Sequence, residues 1–227
     1  MRLEIETRRH GASDPWTYEL LDRRQRQIAA RVGQGGPGAI LLSEVAAVIT
    51  VGRRTSPDDL PMSAEFLHRH GIARVAVERG GFATYHGPGQ WVLFVVDRLE
   101  RLTGDARGVR RMIDGLLEVA CDVARPLDAS VETRGGAELG LWTRAGKIAA
   151  LGIQVEQGIV LHGLALNGFR TPQSFLGLKP CGLDLPVGFL LEQNPTAEQD
   201  LDHQFVALGT ALATRAQNRF FDVVSNS

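Results

Sequence analysis

The chain has 227 residues, of which 44% are hydrophobic, 22% charged and 6% aromatic, an ordinary globular composition that at this length is expected to form a single domain over 1–227. Its 25 basic and 26 acidic residues leave a net charge of -1, so no overall field draws it to nucleic acid or to an anionic membrane. Cys121 and Cys181 are too few for a disulfide framework, and the N-terminus (Met1, Arg2, Glu4, Glu6) has no signal-peptide character. With no apolar run near the roughly 20 residues of a membrane span, a cytoplasmic protein is expected.

Asp14 followed by Pro15 reads as a helix start, and Trp16, Leu20, Leu21, Ile28 and Val32 recur at helical spacing up to Gly33. Gly33 to Gly38 is a turn. Ala39 to Leu42 and Val45 to Val51 read as strands, Ser63 to Gly71 as a short capped helix, and Ile72 to Val77 as another strand. Trp91 to Val96 is continuously apolar, suited to a strand covered on both faces. Val109, Met112, Ile113, Leu116, Leu117, Ala120 and Val123 then follow the helical template up to Pro126, with Cys121 as a small buried hydrophobe beside the stripe. From Val131 to Leu166 come β-like pieces, Lys147 to Glu156 and Ile159 to Leu166 being joined through Gln157-Gly158 as a hairpin. Leu201, Phe205, Leu208 and Leu212 mark a last helix, capped by Thr196. Strands with helices inserted at intervals predict an α/β (α+β) fold, a mixed sheet flanked by helices.

Of the 25 basic residues, all but Lys147 and Lys179 are arginine. Arginine cannot give up its proton in a protein, whereas lysine can, so a reaction needing a titrating amine is one reason for a lysine to persist. Arg79 to Gln90, between two predicted strands, holds four glycines, a proline, a cation and an imidazole. Glycines let backbone approach a ligand closely, and their N–H groups can bind an oxyanion or carbonyl. No Gly-Lys-Ser/Thr follows, which excludes a P-loop, and a strand rather than a helix comes next, against a dinucleotide fingerprint. Pro180-Cys181-Gly182 sets a thiol in a constrained loop. A lysine ammonium near such a thiol favours the thiolate, the nucleophilic form, and Lys147 opens a strand upstream. His86 and His162-Gly163 are alternative bases. His68 and His70 alternate on a short helix and point apart, so no metal site is expected there.

In this order Arg79-Gly80-Gly81, Thr84-Tyr85-His86-Gly87-Pro88-Gly89-Gln90, Gly140-Leu141-Trp142, Lys147-Ile148-Ala149-Ala150-Leu151-Gly152, His162-Gly163-Leu164-Ala165-Leu166-Asn167 and Pro180-Cys181-Gly182 resemble the signatures of the LipB-type octanoyltransferases of lipoate biosynthesis. The resemblance covers roughly residues 40 to 190, and its specificity lies in the combination. It implies the fold shared with the catalytic domains of biotin and lipoate ligases, and transfer of an octanoyl group from acyl carrier protein to a lysine of lipoyl domains. The acceptors implied are apo lipoyl domains of 2-oxoacid dehydrogenase complexes and the glycine cleavage H protein, with no cofactor and no metal. Carried onto matching positions, Cys181 becomes the acyl-thioester nucleophile and Lys147 its activator. Arg79, Gly80, Gly81, Phe82, Ala83, Thr84, Tyr85 and His86, with Ala150, Leu151, Gly152, Gly163, Leu164 and Ala165, become the acyl pocket. Phe82, Thr171 and Gly188-Phe189 depart from the family pattern, which has Gln, Asp and Thr-Ser there, and bear on acyl-chain preference. Two other readings are an ATP-dependent lipoate or biotin-type ligase, which needs no cysteine, and a divergent acyl-binding homologue without activity. Arg53, Arg54, Arg107, Arg110 and Arg111 are candidates for a local basic surface facing an acidic carrier.

Overall fold

A computed structural model of the chain describes residues 3–11, 13–56, 60, 62–176, 178, 186–191 and 198–221. The architecture is built around strand β6 (Gln90–Val96), every residue of which is buried. Because successive side chains of a strand point to opposite faces, Trp91, Leu93 and Val95 enter one apolar cluster while Val92, Phe94 and Val96 enter another. A strand apolar on both faces needs a cover on each.

The main sheet has seven strands in the order β1-β2-β6-β10-β9-β8-β7. Besides β6 these are β1 (Glu4–Arg8), β2 (Ala39–Ser43), β7 (Glu132–Arg134), β8 (Gly140–Thr143), β9 (Gly146–Glu156) and β10 (Ile159–Asn167). β1 and β2 run parallel and the other neighbours antiparallel. One face carries α1 (Tyr18–Gly33), whose Tyr18, Leu21, Ile28 and Val32 meet Val92, Phe94, Leu161 and Ala165. The other carries α3 (Leu99–Thr103), α4 (Val109–Ala124) and α5 (Glu198–Phe221), which supply Leu99, Met112, Leu116, Phe205, Leu208 and Leu212. The Trp91 and Phe205 rings stack at 4.7 Å, and the indole N–H donates to the Phe205 carbonyl at 2.8 Å. Cys121 is buried in this second cluster, as its helical position predicts, and burial pushes its thiol up.

A separate three-stranded sheet, β4-β3-β5, sits beside the first. It contains β3 (Val48–Val51), β4 (Ala73–Ala76) and β5 (Thr84–His86), with α2 (Ala64–Arg69) before β4. The strand expected over Val45 to Val51 thus starts at Val48, and the run Arg79 to Gln90 between two predicted strands contains a further strand, β5, paired antiparallel with β3.

Helix α1 begins at Tyr18 rather than at Pro15, because the Thr17 hydroxyl takes the capping bond from Leu20 N–H at 3.4 Å. Val109 belongs to α4 but is 40% exposed, outside the core stripe. The Gln157-Gly158 hairpin is as predicted, with φ of 50° and 79°, both positive as a type I′ turn requires. The Thr196 cap lies outside the described residues.

Candidate functional site

β9 and β10 form the floor of the site. Their residues pair so that Gly163 faces Gly152, Leu164 faces Leu151 and Ala165 faces Ala150. A Cβ on Gly163 would overlap the Leu93 carbonyl oxygen of the neighbouring strand, so close backbone approach requires glycine there. Above this floor lies a cavity of about 350 Å³, toward the small end of the roughly 300–1,000 Å³ typical of ligand pockets. Its walls are largely apolar, from Val92, Phe94, Ile113, Leu139, Ala150, Leu151, Ile153, Leu164 and Ala165. Among the described lining residues the charged ones are Arg54, Arg79 and Lys147. All are cations, so the cavity favours an anion forming within it.

Lys147 is only 7% exposed, and its Nζ stands 5.5 Å from the Trp142 ring centroid, within cation–π range. Its backbone is tied to a strap, residues 186–191. Lys147 N–H donates to the Pro186 carbonyl at 2.9 Å and Gly188 N–H donates to the Lys147 carbonyl at 3.0 Å, with Val187 bridged parallel to Lys147. Gly146, at φ 132°, makes room for this, since a Cβ there would overlap the Pro186 carbonyl. Cys181 is five positions before Pro186 in sequence. With Lys179, Pro180 and Gly182 it lies outside the described residues.

Arg79 is buried, and its guanidinium donates to the Thr50 carbonyl at 3.2 Å, the Thr50 hydroxyl at 2.8 Å and the Gly80 carbonyl at 3.1 Å. It is thereby fixed beside the cavity with Gly80, Gly81 and Phe82. From here the chain alternates into β5: Thr84 and His86 line the cavity, whereas Tyr85, and Ala83 just before the strand, turn the other way into an apolar cluster with Ile49, Leu67 and Ile72. Of the expected run Arg79 to His86, Ala83 and Tyr85 thus fall outside this cavity's lining, because neighbouring side chains of extended backbone point to opposite faces.

His86 stacks on Tyr18 at 5.4 Å between centroids, and its Nδ1 is 2.7 Å from Gln90 Oε1. Burial, helped by the Arg79 charge, pushes its pKa down to about 3. His162, at φ 63°, turns out of the strand's usual side-chain direction toward α1. There its Nδ1 lies 3.2 Å from the Tyr18 hydroxyl and 3.3 Å from Gln25 Nε2, and its backbone N–H donates to Gln25 Oε1 at 2.8 Å. Burial, partly opposed by Asp22, pushes it down to about 4. Both imidazoles are neutral at pH 7 and neither brings a cation. His68 and His70 stand apart from the cavity, His70 Nδ1 bonding the Phe66 carbonyl at 2.8 Å.

Thirteen of the expected site residues thus converge on one cavity: Arg79, Gly80, Gly81, Phe82, Thr84, His86, Lys147, Ala150, Leu151, Gly152, Gly163, Leu164 and Ala165. Sequence reasoning missed the lining residues Tyr18, Val92, Phe94 and Ile113, the last three because they read as ordinary core of a strand or helix. Of the expected basic surface, Arg54 lines the cavity, and Val109, next to Arg110, lines it from α4. Arg53 is paired with Glu78 and Arg110 with Asp114 at 3.1 Å.

A buried lysine over an apolar cleft, on a sheet with helices on both faces, defines a protein of the lipoate-ligase type of architecture. The structure superposes on lipoate-protein ligase A bound with ATP at a TM-score of 0.65 and 11% identity, covering 100% of this chain and 96% of that one, a likeness of fold alone. Among curated relatives, the octanoyltransferase of Rhodococcus opacus (strain B4) is 36% identical over 181 residues, 76% of this chain and 64% of that protein. The chain therefore spans slightly under two thirds of that relative's length. The octanoyltransferase of Mycobacterium ulcerans (strain Agy99) is 36% identical over 188 residues, 79% of this chain and 74% of the relative. Residues 18–205 match the family described as the lipoyl protein ligase A/B catalytic domain, and the chain belongs to that family.

Proposed function

We propose that this protein is an octanoyltransferase, moving an octanoyl group from octanoyl-acyl carrier protein to a lysine of apo lipoyl domains, through a thioester on Cys181. The observation that carries the reading is the apolar cavity with Lys147 in its wall and no carboxylate among its described lining residues. An eight-carbon chain gains roughly 0.8 kcal/mol per buried methylene, enough to hold it there. The kinship with octanoyltransferases supports the choice of chain and reaction.

In the first half-reaction the Cys181 thiolate attacks the carrier thioester. A new C–S bond forms, the old one breaks, and the departing carrier thiolate takes a proton. In the second, the acceptor lysine amine attacks the acyl-cysteine, an amide forms and the Cys181 thiol is released with the amine's proton. Lys147 stabilises the thiolate as an ammonium and assists both proton transfers, while Arg79 and Lys147 stabilise the oxyanion of each tetrahedral intermediate. Arg79, Gly80, Gly81, Phe82, Thr84, His86, Ala150, Leu151, Gly152, Gly163, Leu164 and Ala165 hold the chain. Thioester exchange is near thermoneutral and the final amide is downhill, so the reaction needs no nucleotide. We place it in the cytoplasm, as one domain, with dehydrogenase lipoyl domains and the glycine cleavage H protein as acceptors. No helix among the described residues is long and apolar enough to cross a membrane.

Mixing the protein with octanoyl carrier protein and an apo lipoyl domain tests this by intact mass. One octanoyl group should appear on the domain's lysine without ATP. Transfer only from free octanoate with ATP and release of AMP would establish the ligase reading instead.

A further inference from the structure

Three buried side chains link the cavity to the Lys147 strand, and backbone groups fix the direction of each hydrogen bond between them. Asn167 Nδ2 lies 3.3 Å from the Lys147 carbonyl and 3.1 Å from the Gly188 carbonyl. Backbone carbonyls only accept, so this atom is the amide nitrogen and Oδ1 is the acceptor. Gln90 meets Asn167 Oδ1 at 2.8 Å and the Tyr85 carbonyl at 3.3 Å through one atom, which must be its nitrogen. Gln90 Oε1 is then the acceptor for His86 Nδ1 at 2.7 Å, so the His86 proton sits on Nδ1. In a neutral ring that leaves Nε2 as a lone-pair acceptor, on a residue that lines the cavity. Asn167, Gln90 and His86 are all at most 6% exposed, so water does not readily substitute for these bonds.

Asn167 also sits where the strap meets both strands. The Asn167 carbonyl accepts from Leu190 N–H at 3.2 Å and the Gly168 carbonyl from Leu191 N–H at 2.7 Å, while Pro186 and Gly188 bond Lys147. We propose that Asn167 is a positioning residue for acyl transfer, one buried amide setting both the seat of the 186–188 strap on Lys147 and, through Gln90, the Nδ1–H tautomer of His86. The strap's seat fixes the backbone of Lys147, the residue read as activating the thiol. His86 Nε2 accepts a hydrogen bond from the attacking amine of the acceptor and orients it. The inference rests on the octanoyl-transfer reading and adds to it a residue outside the main cavity's lining that acts through Lys147 and Gln90.

Two measurements test it. Asn167→Asp keeps the size and still accepts from Gln90, but cannot donate to the two carbonyls. In single-turnover acylation by octanoyl carrier protein, its maximal rate should fall roughly 10- to 100-fold, with the half-saturating donor concentration changed less than about twofold, because Asn167 does not line the main cavity and reaches only a small recess beside it, behind Lys147 and Ala165. A normal maximal rate per folded molecule, or a change in half-saturation alone, would overturn the positioning role. Nitrogen-15 spectra of histidines in the unmodified protein test the other half and need neither a variant nor activity. The Nδ1–H tautomer of His86 is expected, and Nε2–H would overturn the network. If the unmodified protein takes no acyl group at all, the transfer reading fails, and the tautomer still stands or falls by the spectra.

Discussion

Acidification from pH 7 to pH 5 removes stability held in two buried imidazoles. His86 is pushed down to about 3 by burial and the Arg79 charge, and His162 to about 4 by burial. In the unfolded chain both titrate near 6.5, so between those values the unfolded state binds more protons than the native one. Stability therefore rises with pH across that window and is lost as pH falls below about 6.5. Integrated from pH 7 to 5, each ring accounts for about 2 kcal/mol and the pair for about 4, a large share of the roughly 5–15 kcal/mol that holds a domain together. Glu6 and Asp202, held low by Arg24 and Arg9, lose their ion pairs mainly at more acidic pH and add little here. Urea unfolding followed by tryptophan fluorescence should show the midpoint falling by more than about 1 M between the two pH values. His162→Asn, chosen because asparagine tolerates positive φ, should lose only about half as much. Equal stability at pH 7 and 5, or an undiminished loss in the variant, would refute the claim that these rings are buried neutral.

Three further outcomes follow from the cavity. Lys147→Arg should retain part of the acylation of Cys181 but lose about 100-fold in transfer to the acceptor lysine, because arginine keeps the charge and cannot pass a proton, whereas Lys147→Ala loses both half-reactions; single-turnover kinetics separates them. Ala165→Leu fills the wall beside Phe94, so the roughly 15-fold preference that two extra methylenes give octanoyl over hexanoyl should shrink below about threefold in competition assays. Arg54 and Arg107 should assist docking of an acidic carrier, so raising salt from about 50 to about 500 mM should raise the KM for octanoyl carrier protein several-fold, and Arg54→Glu should raise it at low salt.

Lys147 was legible because it is one of two lysines, and its chemistry could be argued before its neighbours were known. The long helices were legible from periodicity and β6 from its continuous apolar run, whereas the short α3 and the edge strand β1 carried no such signal. What sequence could not show was side-chain direction and partnership over distance. Tyr85 belongs to a three-residue strand hidden in a glycine-rich run, with Ala83 just before it, so their alternation had no visible frame. His162 sits in a β-like stretch, and nothing local announces the left-handed backbone that turns it toward Tyr18 and Gln25. Division of the strands into two sheets depends on long-range pairing, which periodicity does not encode. The start of α1 went to Thr17 over Asp14 because several residues there can cap and only packing of Tyr18 decides among them. Gln90 and Asn167, 77 positions apart in sequence, both stood within quoted motifs, but the hydrogen bond between their side chains needs the pairing of β6 with β10 to exist.

The central claim is that acyl transfer passes through a thioester on Cys181, with Lys147 as its activator. Intact-mass analysis of the protein alone, mixed with octanoyl carrier protein and no nucleotide, tests it most directly. One octanoyl adduct should appear, be released by hydroxylamine, pass to an added apo lipoyl domain, and be absent from Cys181→Ala. An adduct that persists in Cys181→Ala, or transfer to the lipoyl domain by that variant at the unmodified rate, would contradict it.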